Sequence, residues 1–261
     1  KTLISQIKSQ LVSDDRVLAA WLAGSIAREK DDWLSDIDLF IVTTDESIED
    51  VVRNRHDFAA RVAQPTLSME QMRNAPPRGG YLLVHYAGEY GPQHVDWFWQ
   101  PESLASTPDD GLLLFDNVGL PTIDGKVWEQ QMHQTGSRPA IDSTDETDLL
   151  NHQIEFFWAM SLIVAKYIVR GDDETVTWMM GLIERTLDGV ALVLDVNNAV
   201  AGDHAESRHT GSAVQFQKLR RLSDQAKSFE HGLSDYGAQV PTEAIAEVER
   251  FFDACESVTA E

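Results

Sequence analysis

Apolar residues Leu3, Ile4, Ile7 and Leu11 recur with a helical period and predict an amphipathic helix over Thr2–Val12 that ends near Ser13-Asp14-Asp15. Val17–Ala23 is an unbroken apolar run and reads as a first buried strand, closed by Gly24-Ser25. A short helix is expected over Ser25–Lys30, within a polar segment that leads to Asp36. Asp36–Thr43 reads as the second strand, and Asp45–Ala63 as a helix with Ile48, Val51, Val52, Phe58 and Val62 on its buried side, stopped by Pro65. Pro76-Pro77-Arg78-Gly79-Gly80 is a turn. Tyr81–Tyr86 and His94–Trp99 are the strands of a hairpin across Gly88–Pro92. In the second of these, Val95, Trp97 and Trp99 share one face, and His94, Asp96 and Phe98 the other. Gly111–Asp116 is a further short strand, with Asp116 capping the turn after it.

The pattern changes beyond the polar, turn-rich stretch from Arg138 to Asp145, where the domain boundary is placed: residues 1–140 form one domain and 141–261 another. Ser143 or Thr144, followed by Glu146 and Thr147, is expected to cap a helix start. Leu149, Leu150, Ile154, Phe157, Trp158, Leu162, Ala165 and Ile168 then follow helical spacing. Arg170-Gly171-Asp172-Asp173 closes that helix and opens another, Glu174–Asp195. Residues 199–211 read as a polar loop whose His204 and His209 have no metal-ligand spacing. Ser212–Leu222, Gln225–Leu233 and Thr242–Ser257 read as three further helices or pieces of helix, so the second half is an all-helical bundle and the chain is α+β. Trp97, Trp158 and Trp178 are read as core residues.

Composition narrows the class. A length of 261 residues suits one large domain or two ordinary ones, and 43% hydrophobic residues is enough for a sizeable core. No apolar run is long enough to span a membrane, so no membrane partner is expected. Lys1-Thr2-Leu3-Ile4 has neither a signal-peptide core nor an initiator Met, and the start is expected to be trimmed. Cys255 is the one cysteine, which leaves no intrachain disulfide and no cysteine metal site within these residues; a reducing, cytoplasmic setting is expected. The formal net charge of −22 repels nucleic acid and suits a cationic small molecule. Adaptation to high salt explains the same charge equally well, and sparse lysine leans that way.

The candidate chemistry sits between the first two strands. On an extended strand, Asp36 and Asp38 point to the same face, because side chains alternate with period two. Two carboxylates held that close repel unless a cation lies between them. Mg²⁺ is the expected ion for oxygen ligands beside a phosphate. Gly24-Ser25 ahead of a helix start offers backbone N–H groups to such a phosphate.

Gly24-Ser25, ten residues, then Asp36-Ile37-Asp38 resembles the signature of the DNA polymerase beta-like nucleotidyltransferase superfamily. The resemblance implies an N-terminal mixed sheet with flanking helices, and Mg²⁺-dependent transfer of a nucleoside monophosphate from an NTP. It also implies a third carboxylate on a neighbouring strand. Asp96 is the acidic residue that stands inside a strand-like run after Asp38, and so completes the metal site or takes the acceptor's proton. Gly24 and Ser25 would hold the β- and γ-phosphates, with added charge from Arg28.

Three stretches together resemble the aminoglycoside (streptomycin 6-adenylyltransferase-like) and lincosamide nucleotidyltransferases. They are Gly24 through Leu39; His94-Val95-Asp96 followed by Leu113–Asp116; and Asn151–Trp158 followed by Ala165–Asp172. That implies ATP as co-substrate, AMP transfer to a hydroxyl of a cationic small molecule, and Lys166 reaching the triphosphate. Glu155 lies three turns before Lys166 on one helix and is expected to contact the acceptor or act as base. Two departures bear on the acceptor: Asn151 and Glu155 do not stand together, and Asp116-Asn117-Val118-Gly119 lacks a second aspartate. Two other readings stay open, a protein-nucleotidylating enzyme of the antitoxin type and a non-catalytic nucleotide-binding regulator. The expected assembly is a monomer or a homodimer.

Overall fold

Strand β2 (Ile37–Thr43) is central to the first half of the chain, and its alternation explains the layers on either side. Ile37, Leu39 and Ile41 point into one apolar core, while Phe40 and Val42 point into another on the opposite face. A strand buried on both sides needs apolar residues at nearly every position, and polar ones survive only at its ends. Asp38 is at that end, half-buried, one residue inside the strand.

The computed structural model describes residues 2–133, 145–195 and 211–259. The chain forms two compact units, one of residues 1–86 with 93–141, the other of residues 87–92 with 142–261. The domain boundary expected at residue 140, the cap at Ser143/Thr144 and the loop carrying His204, Arg208 and His209 lie outside the described residues.

The first unit holds a six-stranded mixed sheet in the order β3-β4-β5-β2-β1-β7. Its remaining strands are β1 (Val17–Leu22), β3 (Pro65–Met69), β4 (Gly80–Ala87), β5 (Pro92–Pro101) and β7 (Leu112–Asp116). β2 pairs antiparallel with β1 and parallel with β5. One face carries Leu39, Ile41, Val84, Trp97 and Trp99 and packs on α1 (Thr2–Val12) through Leu3, Ile7 and Leu11. Phe58 of α4 (Arg55–Ala60) meets Trp97 and Trp99 edge-on in the same layer. The other face carries a row of rings in strand order: Trp21 on β1, Phe40 on β2, Phe98 on β5 and Tyr81 on β4. Phe40 and Phe98 stack at 4.3 Å, and Trp128 of α5 (Gly125–His133) meets Phe40 edge-on at 4.7 Å.

Several local expectations change. The predicted helix Asp45–Ala63 is two, α3 (Ile48–Arg53) and α4, broken at Asn54, whose side-chain amide donates to the Asp50 carbonyl. Pro65 does not merely stop a helix; it opens β3, where its missing N–H is tolerated at the first position of an edge strand. A small two-stranded sheet, β6 (Thr107–Pro108) with β8 (Thr122–Ile123), precedes α5. Asp116 caps its turn as expected, accepting from the N–H groups of Val118, Gly119 and Leu120.

The second unit is helical: α6 (Glu146–Arg170), α7 (Asp173–Val193), α8 (Ser212–Ser228), the short α9 (Glu230–Asp235) and α10 (Thr242–Thr259). Asp145 caps α6 by accepting from Thr147 N–H. Gly171, at φ 68°, ends it in a left-handed cap, with Gly171 N–H donating to the Ile168 carbonyl and Asp172 N–H to that of Tyr167. Asp172 then caps α7 through Thr175. Trp97 and Trp158 are core residues, but Trp178 is 64% exposed. Met179, Met180 and Ile183 occupy the buried side of α7, and position 178 turns away from them.

Candidate functional site

The parallel register of β2 and β5 sets Ile37 beside Val95, Asp38 beside Asp96 and Phe40 beside Phe98. Side chains paired this way lie on the same face of the sheet, so two of the expected carboxylates, 58 positions apart in the chain, become neighbours. Asp36 stands one residue before β2 and keeps the parity of Asp38, on the same face. One ligand atom each from Asp36, His94 and Asp96 lies within 4.8 Å of the others. His94 is buried, and the two aspartates are half-buried.

Gly24 explains how Asp38 is seated. It has φ +70°, and a side-chain Cβ built there would fall 2.1 Å from Asp38 Oδ2. Glycine meets both requirements without backbone strain and without displacing that carboxylate. Ala23 N–H donates to the Asp38 carbonyl, which ties the end of β1 to the same residue. Ser25 follows in the single-turn helix α2 (Gly24–Ala27).

Asp96 has close polar neighbours on two sides. The Tyr81 hydroxyl donates to its Oδ1, and His94 Nε2 lies 3.1 Å from the same oxygen. Behind His94, His85 Nε2 is 3.3 Å from His94 Nδ1. Burial first, then the Asp96 carboxylate and the hydrogen bond to it, push the Tyr81 phenol well above its usual pKa, against a smaller opposing effect from Asn74. Tyr81 is therefore a fixed proton donor to Asp96.

Beside these residues is a pocket of about 450 Å³, a size suited to a small-molecule ligand. Gly24, Asp38, Phe40, Phe98 and Trp128 line it, so its floor is the row of rings. Arg28, Arg73 and Glu129 supply charge. Arg28 Nη1 lies 3.7 Å from both Asp110 and Glu129.

The first unit thus carries Gly24, Ser25, Arg28, Asp36, Asp38 and Asp96. Glu155 and Lys166 belong to the second unit. They stand on α6, 11 residues apart, within about 20° of three full turns, and Lys166 is 3% exposed. Sequence reasoning did not single out Tyr81, Arg73 or Trp128. It placed His94 on the Asp96 face but gave it no role; the His-x-Asp spacing on a strand was the available signal.

The donor set is suited to a divalent cation, with three carboxylates on one face and the side-chain-free Gly24 against one of them. Residues 5–76 match the family model described as Polymerase beta, Nucleotidyltransferase. The matched residues include Gly24, Ser25, Asp36 and Asp38, and stop short of Asp96. No curated protein matches the chain. Among solved structures, an aminoglycoside 6-adenyltransferase from Bacillus subtilis aligns over 100% of this chain and 99% of its own, at 10% identity and a TM-score of 0.32. Among the described residues, no helix is long and apolar enough to cross a membrane.

Proposed function

From residues 5–76, which match the family model described as Polymerase beta, Nucleotidyltransferase, we propose an adenylyltransferase that moves AMP from ATP to a hydroxyl of a cationic small molecule of the aminoglycoside or lincosamide kind. The observation that carries this reading is the pairing of Asp38 with Asp96 on parallel strands, with Asp36 on the same face and a ring-floored pocket alongside. In the reaction the acceptor oxygen bonds to the α-phosphorus, the bond from that phosphorus to the bridging oxygen breaks, and pyrophosphate leaves. Such transfer depends mainly on positioning and on neutralising charge.

Asp36, Asp38 and Asp96 would hold Mg²⁺, which when bound neutralises phosphate charge and makes the acceptor hydroxyl more acidic. Asp96 is the proposed acceptor of the hydroxyl proton, and the Tyr81 hydrogen bond fixes its orientation. Gly24, Ser25 and Arg28 are assigned to the phosphates, with Arg73 as a second cation at the pocket. The net charge of −22 and the carboxylate of Glu129 at the pocket favour a cationic acceptor.

The test is incubation with ATP, Mg²⁺ and panels of aminoglycosides and lincosamides, with pyrophosphate release as the readout and mass spectrometry for the adenylylated product. Release with at least one compound is the expected result. Silence across both panels overturns the acceptor assignment.

A further inference from the structure

We propose that His94 is a metal ligand, so that Asp36, His94 and Asp96 form a cation site containing one nitrogen, which prefers a first-row transition ion, with Mn²⁺ as the probe, to Mg²⁺. The inference rests on the metal-dependent reading above for its location, and on geometry for its content.

Continuing the β2–β5 register one step beyond Ile37 and Val95 places Asp36 level with His94. Asp36 and Asp38 are two apart on one edge, as are His94 and Asp96 on the other. The four side chains therefore form a two-by-two array on one face, about 4.8 Å across the strands and about 6.7 Å along them. Three corners are carboxylates and the fourth is an imidazole. A divalent ion about 2.1 Å from each donor spans ligands up to about 4.2 Å apart. The 4.8 Å limit on the Asp36, His94 and Asp96 donor atoms is thus a small side-chain adjustment away from coordination.

The orientation of His94 supports this role. Its Nε2 faces the carboxylates, 3.1 Å from Asp96 Oδ1, and its Nδ1 faces His85 Nε2 at 3.3 Å. A metal-binding histidine characteristically has its second ring nitrogen hydrogen-bonded to a neighbour, which sets the tautomer and aims the ligand lone pair. His85, fully buried, is placed to be that neighbour. In the tautomer with its proton on Nδ1, His94 would offer Nε2 as a ligand atom 3.1 Å from Asp96 Oδ1, and a cation bound by both would offset the repulsion between them. Adding an imidazole to an oxygen set shifts preference from Mg²⁺ toward first-row transition ions.

The experiment uses the whole protein without nucleotide, titrated calorimetrically with Mn²⁺ and with Mg²⁺. The Mn²⁺ form is then examined by pulsed electron paramagnetic resonance for nuclear modulation from a coordinated imidazole. The expected results are Mn²⁺ binding at least about tenfold tighter than Mg²⁺, and a ¹⁴N modulation that changes when the histidines carry ¹⁵N. The modulation should vanish in His94→Gln and in Asp36→Asn, with Mn²⁺ affinity in His94→Gln at least about tenfold weaker. Circular dichroism establishes that the variants are folded; should His94→Gln not fold, Asp36→Asn and the labelled wild-type spectrum decide. Mn²⁺ bound through oxygen alone overturns the role of His94 and leaves metal-dependent transfer standing. A modulation that survives His94→Gln belongs to another of the chain's eight histidines and overturns it too, and one that survives Asp36→Asn overturns the part given to Asp36. Absence of binding by either ion overturns this inference together with the metal reading it rests on.

Discussion

Asp38 and Asp96 face the same side of the sheet at matched positions of the parallel strands β2 and β5. Carboxylates so placed repel each other in the isolated protein, and a bound cation would offset that repulsion. Replacing Asp36 or Asp38 by Asn is accordingly expected to reduce turnover by about 10³-fold or more, the scale of losing a main source of transition-state charge stabilisation. Thermal stability without metal should be unchanged or slightly higher, because a like-charge repulsion is removed. Steady-state kinetics beside a melting curve test both halves. Wild-type turnover in Asp36→Asn would refute the central assignment, and calorimetry should show that this variant has lost Mg²⁺-dependent ATP binding.

Gly24 is a site where one methyl group should be decisive. Gly24→Ala puts a Cβ into the space of Asp38 Oδ2 and a side chain at positive φ. The backbone penalty is about 1–2 kcal/mol, and displacement of the carboxylate should cut kcat/KM by about 10²-fold. A loss of stability with intact kcat/KM would show that the carboxylate moves aside without consequence.

Tyr81→Phe separates packing from hydrogen bonding. The ring lies 5.1 Å from Phe98 and its shape is kept, while the donor to Asp96 is lost. Metal affinity should weaken by about 10- to 100-fold, as when an outer partner of a ligand is removed, with little change in melting temperature. Calorimetric titration with Mg²⁺ is the measurement.

Acid stability provides a prediction away from the site. The Arg16 guanidinium, hydrogen-bonded to Asp14, holds that carboxyl below its usual pKa despite the opposing effect of burial. A depressed folded-state pKa contributes stability that is complete above the unfolded value, about 3.9, and is lost as pH falls through the folded value. Urea midpoints measured between about pH 5 and pH 2 should fall less steeply for Asp14→Asn than for wild type over the acid range.

Local patterning carried much of the secondary structure. Strands β1, β2, β4, β5 and β7 and helices α6, α7 and α10 follow from hydrophobic period, a property of a few adjacent positions, whereas α8 runs on from Ser212 to Ser228 through the break expected after Leu222. The break at Asn54 and the strand at Pro65 were not legible, because helix-forming residues flank the first and a strand-opening proline resembles a helix stop. Trp178 was misread because bulk and hydrophobicity do not reveal which side of a helix meets a neighbour.

For the site the division is sharper. The period of two in Asp36-Ile37-Asp38 and in His94-Val95-Asp96 is a property of each strand alone, and places each pair on one face. Which residue of one strand stands opposite which residue of the other depends on a register between segments more than fifty residues apart. Packing of Ile37, Leu39, Val95 and Trp97 into one core selects that register, since a slip by one residue would bury the carboxylates with them. The sequence by itself determined the donors and their faces. The tertiary structure decided that Asp38 meets Asp96, that Tyr81 holds Asp96 from the far side of β5, and that His94 stands beside Asp36, because only folding sets these strands in register.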